Sequence, residues 1–156
     1  MIDVTVPGFG RLALTDLVCD FNGTLARDGK MLDQARLLLP GIARVVDIRI
    51  VTGNTFGSAS EELRDCPCEV VLLRAKSQAR AKKSLVERIG REHVVAIGNG
   101  RNDRLMLKTA ALGIGVIGDE GLAREAAQAC DVITRRIDEA LALLLEPRRL
   151  IATLRG

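Results

Sequence analysis

Short apolar runs alternate along this chain with stretches of helical period, and several of the apolar runs end in similar polar residues. Residues 14–21, 45–51, 70–73, 94–97, 114–117 and 132–133 read as strands. Most are rich in Val, Ile and Leu without a polar face, the pattern of strands buried on both sides. Between them, residues 33–39, 58–64, 78–89, 102–111, 121–130 and 137–145 carry helical spacing. Asp33 can cap the first of these, Pro40-Gly41 interrupts it, Gly90 stops the third and Pro147 follows the last. Strands alternating with helices predict an α/β fold, an open parallel sheet covered by helices on both faces. Ahead of it, Val4 and Val6 alternate with Asp3 and Thr5 before the turn Pro7-Gly8-Phe9-Gly10, so a β-hairpin is expected to run to Leu14.

Composition narrows the function classes. The 156 residues suit a single domain spanning 1–156, with no linker, internal repeat or low-complexity tract. The net charge is only +3, and with no Trp, no Tyr and three Phe the chain lacks a base-stacking platform, so no nucleic-acid partner is expected. A single histidine, His93, leaves no multi-histidine metal site. The cysteines are Cys19, Cys66, Cys68 and Cys130, with no C-x-x-C pair. Cys66-Pro67-Cys68 fits a vicinal disulfide, half a metal site or, more simply, two small residues in a turn. No apolar run approaches the ~18 residues of a membrane span. Met1-Ile2-Asp3 begins neither a basic nor an apolar leader, so a cytoplasmic protein is expected.

Three strand ends carry the chemistry. They are Asp20-Phe21-Asn22-Gly23-Thr24, Thr52-Gly53-Asn54-Thr55 and Gly98-Asn99-Gly100-Arg101-Asn102-Asp103. Ligands of open α/β sheets bind beyond the carboxyl ends of the strands, so the three segments are expected to meet. Carboxylate and amide oxygens suit magnesium, while glycine amides and threonine hydroxyls suit phosphate. Asp119-Glu120-Gly121 reads as the start of a helix, and Gly113-x-Gly115 is too weak a pattern to signal a dinucleotide.

With a lysine between the second and third segments, these strand ends resemble the four motifs of the haloacid-dehalogenase superfamily of phosphohydrolases. The resemblance covers residues 14–146. It is nearest to the phosphorylation domain of P-type ATPases and to small soluble relatives of that domain, through segments 20–26, 98–103 and 149–155. It implies a Rossmann-like three-layer core. It makes Asp20 the nucleophile that takes a phosphoryl group as an aspartyl-phosphate. Thr52 and Gly53 would bind the phosphoryl oxygens, and Lys82 would neutralise nucleophile and phosphate, with Lys76 and Lys83 as competitors for that place. Asp20, Asn22, Asn99 and Asp103 would hold magnesium.

Two positions depart from the usual pattern. Asn22 stands where most superfamily phosphatases have the aspartate that acts as general acid and base, and an amide cannot do that work. Asn99 stands where G-D-G is usual, so it brings an oxygen without a charge. A slow magnesium-dependent phosphatase is therefore one reading. A non-catalytic regulatory protein that binds phosphate or a phosphoprotein is the other. The gaps between Asp20, Thr52 and Lys82 are too short for a helical cap, leaving residues 27–30 as a small flap. A capless site is expected to act on a phosphorylated small molecule or protein, and to be covered by another subunit of a homo-oligomer through apolar edges of the hairpin. ATP-driven pumping is not expected, since the sequence shows neither a membrane segment nor room for a nucleotide-binding insert.

Overall fold

In a computed structural model of the chain, residues 1–53, 59–74 and 76–156 are described. The chain opens on an antiparallel pair, β1 (Ile2–Val6) and β2 (Gly10–Leu14), before the first core strand, β3 (Asp16–Asp20). A small flap follows, β4 (Ala26–Arg27) and β5 (Lys30–Met31). Its turn residues, Asp28 and Gly29, both have positive φ, as a two-residue hairpin turn requires. Then come α1 (Asp33–Ile42), β6 (Asp47–Thr52), α2 (Ala59–Glu62), β7 (Glu69–Leu72), α3 (Gln78–Ile89) and β8 (Val94–Gly98). The remainder is α4 (Arg104–Thr109), β9 (Leu112–Val116), α5 (Arg124–Ala127), β10 (Val132–Thr134), α6 (Ile137–Leu145) and α7 (Pro147–Leu154).

Six strands form one parallel sheet in the order β10-β9-β8-β3-β6-β7. This is the α/β architecture that the strand–helix alternation predicts. Side chains alternate across the sheet, so each strand feeds two cores. Leu17, Cys19, Ile48, Ile50, Val95 and Ile97 pack on one face with Leu39 of α1 and Leu141 of α6. Val18, Val51, Val94 and Ala96 pack on the other with Leu85 of α3 and Met106 of α4. The chain runs outward from β3 through β6 to β7, then crosses back to β8 beside β3. The strand order therefore reverses at β3/β8, where ligand crevices form in such sheets. The glycines of β9 serve packing: a Cβ on Gly113 would stand 2.5 Å from the Leu107 carbonyl oxygen.

Several sequence expectations are corrected. Pro40 does not interrupt α1, which continues to Ile42. Burial of Leu39 and Ile42 outweighs the lost backbone bond, a cost of about 3 kcal/mol in an isolated helix. Asp33 is not the cap either; Leu32 stands there without a side-chain bond. The helix expected over 102–111 begins as a 3-10 turn, Arg101–Asp103, and the one expected over 121–130 shrinks to α5. Within the helix expected over 58–64, α2 covers four residues; Ser58 lies outside the described residues. Beyond Pro147 the chain forms a further helix, α7.

The hairpin is not an exposed apolar edge. Ile2, Val6, Leu12 and Leu14 are buried within the chain, in one cluster with Leu150, Ile151 and Leu154 of α7. The Gly156 amide donates to the Pro7 carbonyl at 3.1 Å. No helix among the described residues is long and apolar enough to cross a membrane. All four cysteines are free thiols, with Cys19 fully buried as a small apolar residue.

Candidate active site

Parallel pairing brings the three strand ends to one edge. Asp20 is the last residue of β3 and lies in register with Val51, next to Thr52 at the end of β6. On the other side Cys19 pairs with Ile97, so Gly98 and Asn99 emerge beside Asp20. A cleft of about 260 Å³ opens there, lined by Asp20, Asn22, Thr52, Gly53, Asn99 and Glu120, with Gln78, Gly100 and Asn102. Asn54 and Thr55 of the second segment lie outside the described residues.

Behind Asp20 sits a buried charge triad. The Lys82 ammonium, on α3, donates to Asp20 Oδ1 at 2.5 Å and to Asp103 Oδ1 at 2.6 Å. Lys82 is 0% exposed, on the face of α3 that also buries Ala79, Leu85 and Val86. The competitors are elsewhere: Lys83 pairs with Glu87 on the surface and Lys76 is exposed. Burial alone would lower the Lys82 pKa, but the charges and hydrogen bonds of Asp20 and Asp103 raise it, so the ammonium persists. Burial and the Asp103 charge push Asp20 up to about 7, against the opposing pull of Lys82. Without Lys82, two carboxylates would share a buried site with no counter-charge.

Asp103 holds three donors. Its Oδ2 accepts the amides of Asn99 at 3.1 Å and Gly100 at 2.8 Å, while Oδ1 holds Lys82. A Cβ on Gly98 would stand 2.6 Å from the Asp103 Cγ, so glycine is needed there to admit the carboxylate. The sequence reading has Asp103 supporting magnesium. In the structure Asp103 also fixes Lys82 and shapes the 98–103 loop.

The oxygens that remain suit a hard cation. Asn22 Oδ1 is buried and has no hydrogen-bond partner among the described residues. Asp20 Oδ2 meets Thr24 Oγ1 at 3.5 Å, too long to commit it. Asn99 Oδ1 accepts from Thr24 Oγ1 at 3.2 Å and keeps a second lone pair. An orphaned buried oxygen beside a carboxylate and an amide oxygen fits magnesium, though no group of three His, Cys, Asp or Glu side chains poised for a metal occurs among the described residues.

Glu120 is the residue the sequence reading passes over. The expected helix start at 119–121 does not form. The Asn99 side chain donates from Nδ2 to the Gly121 carbonyl at 3.0 Å, and the Ala123 amide donates to the Asn99 carbonyl at 2.9 Å. This stitching, with Gly121 at φ +84, holds residues 120–123 against the 98–103 loop and turns Glu120 toward the cleft. The signal in the sequence is the glycine at 121, which suits a turn better than a helix start.

Comparison with known proteins places this geometry. No family model matches the chain. An uncharacterized protein of Methanocaldococcus jannaschii is 45% identical over 83 residues, which span 51% of this chain and 89% of that protein. The phospholipid-transporting ATPase tat-1 of Caenorhabditis elegans is 31% identical over 109 residues, 67% of this chain but only 9% of the ATPase. Among solved structures, the 3-deoxy-D-manno-octulosonate 8-phosphate phosphatase of Moraxella catarrhalis, complexed with magnesium, phosphate and KDO, superposes with a TM-score of 0.72. It is 19% identical and covers 92% of this chain and 95% of its own. A cobalt-bound phosphatase of the same description from Haemophilus influenzae also reaches 0.72, at 13% identity over 92% and 94% of the two chains. A structure from Legionella pneumophila described as a HAD superfamily (subfamily III A) hydrolase reaches 0.65, at 17% identity over 92% and 88%.

Proposed function

The chain belongs to the same family as the Methanocaldococcus jannaschii protein, a family with the capless fold of the haloacid-dehalogenase superfamily, and from that premise we propose that it is a magnesium-dependent phosphohydrolase acting through Asp20. The observation that carries this reading is the triad: a carboxylate at the strand-order reversal, backed by a buried ammonium that Asp103 holds in place. In that arrangement the ammonium compensates the negative charge that Asp20 carries when it acts as the nucleophile.

The residues divide the work as follows. Thr52 and Gly53 receive the phosphoryl oxygens at the end of β6. Asp20 attacks phosphorus, the bond to the ester oxygen breaks, and an aspartyl-phosphate forms. Lys82 neutralises the charge that builds between nucleophile and phosphoryl group. Water then cleaves the aspartyl-phosphate, releasing inorganic phosphate and restoring the carboxylate. Asn22 can neither give a proton to the leaving oxygen nor take one from the water, so both protons exchange with solvent. Magnesium, held by Asp20, the Asn22 carbonyl and Asn99, with Asp103 supporting it directly or through water, would screen the phosphoryl charge when bound. The rest of a small substrate fits a neighbouring cleft of about 510 Å³ under the β4–β5 flap, lined by Arg27, Lys30, Met31 and Arg136. The whole sequence, 1–156, acts as one core domain of a cytoplasmic protein in this proposal.

The test is phosphate release from a panel of phosphomonoesters with millimolar magnesium, for wild type beside Asn22→Asp. Slow release by the wild type is expected. Asn22→Asp should be faster by up to ~10²-fold, the lower end of what a positioned acid–base group supplies. No release from any ester by either form would contradict the reading. It would favour the second one, a phosphate-binding regulatory protein, for which the amides at 22 and 99 speak.

The open cleft still calls for a cover. The hairpin is used within the chain, so we propose that a second copy meets the site through another surface. Light scattering at micromolar concentration should report an oligomer. A monomer would contradict self-covering and point to a macromolecular substrate.

A further inference from the structure

We propose that Glu120 is the second anion of the magnesium site, supplying the negative charge that Asn22 and Asn99 do not. The inference rests on the phosphohydrolase reading and extends it to a residue outside the four motifs.

Position comes first. A Cβ placed on Gly23 would stand 2.5 Å from Glu120 Oε2, 2.7 Å from Asn99 Nδ2 and 2.9 Å from Asn99 Oδ1. The Glu120 carboxylate and the Asn99 amide thus converge on one point, the backbone of the turn that follows Asp20. Gly23, at φ +79, is the residue that leaves this space open. The close approach is two-sided, since a Cβ on Gly118 would stand 3.3 Å from the Gly23 carbonyl oxygen. Asp20 and Glu120 are the two carboxylates among the described residues that line the cleft.

Charge comes second. Lys82 and Asp103 cancel, which leaves Asp20 as a single negative charge facing a divalent ion. The amides at 22 and 99 add oxygen donors without charge. A carboxylate from 120 brings the local charge to that of the ion, and affinity for hard cations follows ligand charge. Glu120 makes no hydrogen bond or ion pair with the described residues, while its neighbours Asp119 and Glu125 pair with Arg27 and Arg101. Asn99 links the two halves: it offers Oδ1 to the cleft while its Nδ2 holds the Gly121 carbonyl, so the loop that carries Glu120 is anchored to the ion's neighbour.

Magnesium binding itself is the readout, by calorimetric titration of wild type, Glu120→Gln, Asp20→Asn and the double variant Asn99→Asp/Glu120→Gln. Glu120 is exposed and makes no bond to the described residues, so Glu120→Gln should leave the melting temperature without magnesium unchanged. It should weaken magnesium by about 10-fold or more, since even groups that only orient metal ligands are worth about 10–100-fold. The double variant should recover most of that loss, because it returns a carboxylate next to Gly23. If Asp20→Asn loses magnesium but Glu120→Gln binds it like wild type, the role of Glu120 falls and the magnesium reading stands. A double variant as weak as Glu120→Gln overturns the charge substitution. A wild type that does not bind magnesium overturns both this inference and the proposed function.

Discussion

Lys82→Met lowers the unfolding free energy by about 3–5 kcal/mol, the cost of leaving a buried charge without its partner. Methionine fills the aliphatic space, so packing on α3 is largely kept. What is lost is the ammonium between Asp20 and Asp103, both buried. The sign of the pH dependence follows. Asp20 already has a folded-state pKa raised above the unfolded value near 4 by burial and the Asp103 charge, and losing the ammonium removes the group that opposes that rise. The folded state then binds more protons than the unfolded one, so stability falls as pH rises through that window. The deficit of Lys82→Met should accordingly be large at pH 7.5 and shrink as the pH falls toward about 4. Urea unfolding at the two pH values measures it. A deficit that is small, or constant with pH, would show that the triad is not the charge pair described.

Asp20→Asn should leave the fold intact and remove catalysis. The amide is nearly the size of the carboxylate, and Lys82 keeps its bond to Asp103. The proposed nucleophile is gone, and losing a nucleophile that acts as one unit with its partners costs on the order of 10⁴-fold or more in turnover. A melting temperature close to wild type with this loss separates the chemistry from stability. Because Asp20 is buried and pushed up to about 7, a neutral amide in its place relieves some of the burial cost.

Asp20, Asn22, Thr52, Gly53, Asn99 and Asp103 can be placed from sequence because each stands at or just beyond the end of an apolar run. Parallel strands in register must then bring them to one edge. Lys82 follows from motif order, but its full burial between two carboxylates depends on how α3 packs, which spacing alone leaves among three lysines. The passage of α1 through Pro40 is a tertiary effect, decided by what Leu39 and Ile42 bury against rather than by helix propensity. The cover of the hairpin by α7 joins the two ends of the chain, and no local pattern announces it. Glu120 is the most instructive case. Residues 119–121 have the local chemistry of a helix start, and what overrides it is a hydrogen bond from Asn99, 22 residues before Gly121. An amide where a carboxylate is usual is visible at 99, but where a compensating charge would come from is a three-dimensional matter.

The central claim is that Asp20 itself carries the phosphoryl group. Acid-quenched labelling tests it most directly: protein is incubated with a radiolabelled phosphoryl donor and magnesium, stopped in acid and mapped by peptide. Label on the peptide containing Asp20, sensitive to hydroxylamine and missing from Asp20→Asn, is the predicted result. Phosphate release that continues without any label on that peptide, and persists in Asp20→Asn, would contradict it.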